Sequence, residues 1–187
     1  MQDLKKFSLI YLATVATVER QCNSTSYYAG IHDLVSRQGK VFSNFISSDK
    51  IKNLQYFSEP KQCYYNAWQT LQINPKENFI YCEGYMFIPN IPIGIIHGWL
   101  VDKNKNVFDP TIKNYQSNIY IGLTFDPNYV RQVYLNRAIK NNQRSSGPLV
   151  PKRNRCHKDR VINYGILENN YLDLECIYHR PFINFKV

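Results

Sequence analysis

The order of elements predicted from the sequence is that of an α+β chain, with helices first, strands from Asn78 to Leu123, and one further helix after them. Three observations carry this. Ser58-Glu59-Pro60 reads as a helix start, with a capping serine, an acid at the positive helix end and a proline tolerated in the first turn, and it predicts a helix to about Ile73. Phe79–Ile88 and Ile95–Val101 are rich in aromatic and β-branched residues and read as strands. The polar stretch Asp102-Lys103-Asn104-Lys105-Asn106 is a hairpin loop that brings Val107-Phe108-Asp109 back as a third, antiparallel strand.

At 187 residues, 44% of them hydrophobic and 14% aromatic, the chain buries one sizeable core, and 1–187 is expected to be a single domain. Within it we distinguish an N-terminal helical part (1–57), a core (58–124) and a basic flexible loop (141–160). The net charge of +9 is uneven, because Arg131 to Arg160 holds nine basic residues against the single acid Asp159, which leaves the remainder close to neutral. Such a tract is usually a solvated one, and it is also able to contact a polyanion. Cys22, Cys63, Cys82, Cys156 and Cys176 form no C-x-x-C pair and are odd in number, which argues against a metal ribbon or a full disulfide framework and favours a reducing, cytoplasmic setting. No metal or cofactor is implied, and no apolar run reaches the length of a transmembrane span.

From the start, Lys5-Lys6 followed by Phe7–Val18 has the order of a signal peptide, with Ala16 as a cleavage point, but Asp3 and the threonines dilute the pattern. Leu4, Phe7, Tyr11, Thr14, Val15 and Val18 fall at helical spacing, so an amphipathic opening helix is the preferred reading. Cys22 to Ser26 is a polar break, and Tyr28–Arg37 is a second short helix with Leu34 and Val35 as its apolar contribution. Val41, Phe42, Phe45 and Ile46 fit helical spacing better than strand alternation. Beyond the hairpin, Asn118–Leu123 reads as a further strand, and Asp126-Pro127 opens a helix to Ile139. Ser145-Ser146-Gly147-Pro148 and Pro151 mark a loop, while 161–164 and 172–178 supply apolar residues for closing elements.

The chemistry is concentrated in Gln62–Thr111. The helix start sets Cys63 where the partial positive charge of a helix end favours a thiolate. With Val101 opposite Val107, Asp109 is a diagonal neighbour of His97 on one face of the hairpin, within reach of its imidazole. A thiol nucleophile needs a base, and the base needs a group to orient it. A lone cysteine is more often a small buried hydrophobe, but a histidine among Ile95, Ile96, Trp99 and Leu100 is costly to bury without a partner. His32, His157 and His179 have no such context.

Gln62-Cys63 followed by an aromatic, then Glu83-Gly84-Tyr85, His97-x-Trp99 and Asp109-Pro110-Thr111, resembles the core of the transglutaminase-like superfamily of papain-like cysteine enzymes, over about fifty residues. The resemblance implies a nucleophile helix packed on an antiparallel sheet, here with extra N-terminal helices. It implies Cys63 as nucleophile, His97 as general base and then acid, and Asp109 as its orienter. The oxyanion would be held by the Cys63 N–H and a second donor, Gln62 or Gln55; Phe57 stands where a papain-like glutamine would be. Tyr64, Glu83 and Trp99 are expected at the substrate cleft. The expected activity is hydrolysis of an amide bond in a protein or peptide. Two alternatives stand beside it. The same triad could pass the acyl group to an amine, as a transamidase; or the scaffold could be inert and bind a polyanion through Arg131–Arg160, where Tyr134 is the lone aromatic for base stacking.

Overall fold

The structure, a computed structural model, describes residues 2–22 and 28–141. The helices are α1 (Gln2–Cys22), α2 (Ile31–Gln38), α3 (Ser48–Lys52), α4 (Cys63–Ile73) and α5 (Pro127–Asn141). The strands are β1 (Lys40–Phe42), β2 (Ile80–Phe87), β3 (Ile95–Val101), β4 (Val107–Phe108) and β5 (Ile119–Phe125). Among the described residues no helix is long and apolar enough to cross a membrane. The expected closing elements, most of the basic loop, and Cys156, Cys176, His157 and His179 lie outside the described residues.

The five strands form one antiparallel sheet in the order β1-β5-β2-β3-β4. The sheet curls until its two edges meet: Phe45 bridges Val107, with Ile46 N donating to Val107 O (3.0 Å) and Val107 N to Asn44 O (2.7 Å). The hairpin has the expected register, Val101 opposite Val107. Its loop is held by Asp102, whose Oδ1 accepts from the N–H groups of Asn104 and Asn106, both at 2.9 Å. An aspartate that bonds the backbone ahead of it makes such a turn locally stable.

Two expectations for the N-terminal part are corrected. Residues 40–42 are a strand rather than a helix, and the helix that does form nearby, α3, is capped by Ser47. The apolar residues around Phe42 fit helical spacing because strand β1 ends after three residues, too few to display alternation. The opening helix is present, but Phe7 and Val18 face outward (37% and 54% exposed), and Ser8, Leu12 and Ala16 are the buried stripe. Small residues on that stripe let α1 approach closely, and Ser8 satisfies its hydroxyl on Leu4 O at 2.7 Å. In α2, Leu34 and Val35 are buried as expected.

The alternation of β2 and β3 sorts their side chains between two layers. Tyr81, Glu83 and Tyr85 face one way, where Tyr81 meets Tyr134 of α5, which stacks on Trp68 of α4 (4.8 Å between ring centroids). Cys82, Gly84, His97 and Trp99 face the inside of the curl, where Trp99 packs on Phe42 and Tyr120. Cys82 is fully buried there, and none of Cys22, Cys63 and Cys82 is in a disulfide.

Candidate active site

Helix α4 begins at Cys63 with Gln62 as its N-cap, four residues later than the Ser58 cap that the sequence suggests. Lys61 has φ 62°, in the left-handed region, and Gln62 is non-helical, so the first bond of the helix runs from Asn66 N to Gln62 O (2.8 Å). Ser58-Glu59 ends a segment without regular structure that lies along α4, and Pro60 is in the turn that follows, in which Glu59 O accepts from Gln62 N (3.3 Å). Gln55 O accepts from Asn74 Nδ2 (2.6 Å), Phe57 N donates to Thr70 Oγ1 (3.3 Å), and Glu59 N donates to Asn66 Oδ1 (3.1 Å). The competition for these partners explains why the local cap signal lost. The outcome puts Cys63 at the very first helical position, among N–H groups that have no acceptor within the helix.

Asn66, one turn on and fully buried, ties this helix to the hairpin. Its amide nitrogen donates both to Glu59 O (2.8 Å) and to Thr111 Oγ1 (3.0 Å), two residues beyond Asp109. Gly98 makes the packing of helix on strand close enough: a Cβ there would lie 2.7 Å from Tyr64 Cδ1.

His97 and Asp109 meet as the hairpin predicts. His97 Nε2 donates to Asp109 Oδ2 at 2.7 Å, with the two residues 4% and 3% exposed. Asp109 is held on all sides. Oδ2 also accepts from Tyr120 Oη (2.7 Å), and Oδ1 accepts from the N–H groups of Thr111 (2.9 Å) and Ile112 (3.1 Å). The half-buried Cys63 is the other titratable neighbour of the imidazole, and its thiol favours the charged ring. With Nε2 committed to Asp109, Nδ1 is the nitrogen left for the thiol. Burial disfavours a charged ring, but the Asp109 carboxylate, its hydrogen bond and the Cys63 side chain together push His97 up to about 10. At neutral pH the ring is therefore an imidazolium, the partner that a thiolate requires.

The remaining predicted residues are distributed unevenly. Gln62 adjoins Cys63 as the N-cap residue, and its side chain makes no capping bond. Gln55 is not brought to the thiol: it lies beside Asn74, at the opposite end of an 11-residue helix, a distance of roughly 16 Å at 1.5 Å per residue. Tyr64, Glu83 and Trp99, expected to wall an open cleft, are all buried, at 6%, 2% and 0% exposure. Glu83 accepts from Tyr81 Oη (2.8 Å) beneath α4, and burial together with the charges of Glu83 and Cys63 pushes the Tyr64 phenol far up. Their place under the helix follows from strand alternation and from the tight contact at Gly98. A cavity of about 70 Å³ borders Asp109, with Tyr56, Ser58, Lys113, Tyr115 and Gln116 around it, but neither Cys63 nor His97 lines it.

Sequence reasoning missed Asn66 and Tyr120. Tyr120 lay on a predicted strand and Asn66 on a predicted helix, but only the fold reveals that both reach the Asp109 segment. His32 has a structural partner, Glu19 Oε1 at 2.7 Å. Among the described residues no group of three or more His, Cys, Asp or Glu side chains could hold a metal ion. No family model matches the chain, and no curated protein or solved structure matches it.

Proposed function

We propose that the chain is a cysteine-dependent acyl-transfer enzyme that hydrolyses an amide bond of a protein or peptide, on a transglutaminase-like, papain-like arrangement of nucleophile helix and sheet. The observation that carries this reading is the buried His97–Asp109 pair, at 2.7 Å, beside the thiol that begins α4. A buried histidine–aspartate pair by itself serves structure as well as catalysis. Its placement against a half-buried cysteine at a helix N-terminus favours catalysis.

In this reading the Cys63 thiolate attacks the carbonyl carbon of the amide, and the electron pair of the C=O bond moves onto oxygen. The Cys63 N–H is one donor to that oxyanion, and the Gln62 side chain, next to it and not used as a cap, is the second. The C–N bond then breaks, with the His97 imidazolium giving its Nδ1 proton to the leaving amine. Water next attacks the thioester as His97 takes up its proton, releasing the carboxylic acid and restoring the thiolate–imidazolium pair. Asp109 keeps Nε2 protonated throughout and offsets the charge on the ring.

The test is thiol reactivity followed by turnover. With an iodoacetamide-type probe on the full chain, Cys63 is expected to label faster than the other four cysteines, and Cys63→Ala is expected to abolish peptide or amide hydrolysis. Equal, slow labelling of all five thiols would overturn the proposal.

A further inference from the structure

We propose that Tyr120 is a positioning residue of this site, whose phenol shares the Asp109 carboxylate with His97 and so sets how tightly the imidazole holds its proton. The inference rests on the acyl-transfer reading above, and it adds a fourth side chain from a strand that supplies none of the other three.

The geometry is specific. Tyr120 is fully buried on β5, and its Oη donates to Asp109 Oδ2 at 2.7 Å, the same oxygen and the same distance as the bond from His97 Nε2. The other oxygen is already taken by Thr111 N and Ile112 N. A carboxylate offers about four lone-pair sites, and here four donors occupy them, so Asp109 cannot turn without breaking at least two bonds. Tyr120 must reach across β2, since β5 and β3 flank that strand. It does so where β2 carries Gly84, the cross-strand partner of both His97 and Gly122, and the two rings stand 6.1 Å apart between centroids. The only possible direction of the bond is from the phenol, because an ionised carboxylate only accepts. Burial and the Asp109 charge hold the phenol well above its usual range, so it keeps the proton that it donates.

The titratable groups facing the His97 ring are Cys63 from α4, Asp109 from the end of β4 and Tyr120 from β5, and Tyr115 is a further phenol that feels the Asp109 charge. Of these, Tyr120 alone acts on the ring through another residue. By donating to Oδ2 it draws charge from the oxygen that stabilises the imidazolium, which loosens the hold of His97 on its proton. That hold matters in both half-reactions, since the ring must release a proton to the leaving group and later recover one.

The test is a pH titration of the histidine rings in the full chain by NMR, which needs no substrate and no turnover. In Tyr120→Phe the His97 titration is expected to move up by about one pH unit, the size of one hydrogen bond to a charged group. A fluorinated tyrosine at position 120, a more acidic and stronger donor, is expected to move it down. The second variant keeps the phenol in place, so it decides the matter even if Tyr120→Phe fails to fold. No displacement in the fluorinated protein, or a downward one in Tyr120→Phe, overturns the inference. Slow Cys63 labelling in the wild-type chain would instead overturn the enzyme reading, and the two failures are read on separate measurements.

Discussion

His97 is the residue on which most of the site's electrostatics converge. Its proton affinity rises on folding, from an ordinary 6.5 to about 10, because the carboxylate and thiol beside it outweigh the cost of burial. A group whose affinity rises on folding contributes stability that is fully present below about pH 6.5 and is lost as pH rises through about 10. Asp109→Asn removes the charge that drives the shift. The gap in unfolding temperature between wild type and Asp109→Asn is therefore expected to narrow as pH is raised from 6.5 through 10. Thermal unfolding across that window checks it, and a gap that stays constant with pH would show that the pair is not the source. The pairing of His97 with Asp109 was legible in advance, since the hairpin register sets the two as diagonal neighbours. Tyr120 was not, because its role depends on reaching across β2, and nothing in the order of residues along one strand encodes that.

At the level of elements, the informative discrepancy is the start of α4. Ser58-Glu59-Pro60 carries a strong local signal for a helix N-terminus, and tertiary partners override it: Asn66, Thr70 and Asn74 bond the segment along the helix instead. Cys63 consequently gains the first helical position rather than one within the first turn. Asn66 is central to this arrangement, with bonds to the backbone of Glu59 on both its amide atoms and to Thr111 Oγ1. Replacing it by alanine should remove three hydrogen bonds from a buried site, a loss of about 2–4 kcal/mol at roughly 1 kcal/mol each. It should also slow Cys63 labelling, because the helix start and the Asp109 segment would no longer be tied. Chemical denaturation and labelling rate measured on the same variant check both effects; a loss of stability with unchanged labelling would confine Asn66 to folding. Strands β2, β3 and β5 were legible because they are long enough, at seven or eight residues, to show their composition. Strand β1 has three residues and depends on β5 for its existence, so no local pattern marks it.

For the whole molecule, the hairpin and the helix-then-strand order predicted an α+β chain, and the described residues have that class with an antiparallel sheet. The strand order was not legible, because β5 inserts between β1 and β2 only once the chain has returned from the far edge. The uneven charge tells the same story of reach and limit: the tract from Arg131 to Arg160 begins in α5 and continues from residue 142 outside the described residues, so the polyanion alternative has no geometry attached to it.

The meeting of the two sheet edges has a kinetic consequence. Phe45 and Val107 are far apart in sequence, and their pairing closes a long loop whose entropic cost must be met before the contact returns anything. The thiol and imidazole lie on elements between those two points, while Asp109 comes two residues after Val107. In the proposed reading, the catalytic groups therefore come from elements within or just beyond this one long loop. Rapid alkylation of Cys63 is then a reporter of global folding: in a denaturant series it should vanish at the same midpoint as the fluorescence of the two buried tryptophans, Trp68 and Trp99. Fast labelling that outlasted the core would mean the site holds together as a local unit. Coincident loss would mean that a partly folded chain carries no activated thiol, and so has no capacity to attack its neighbours while it is still being made.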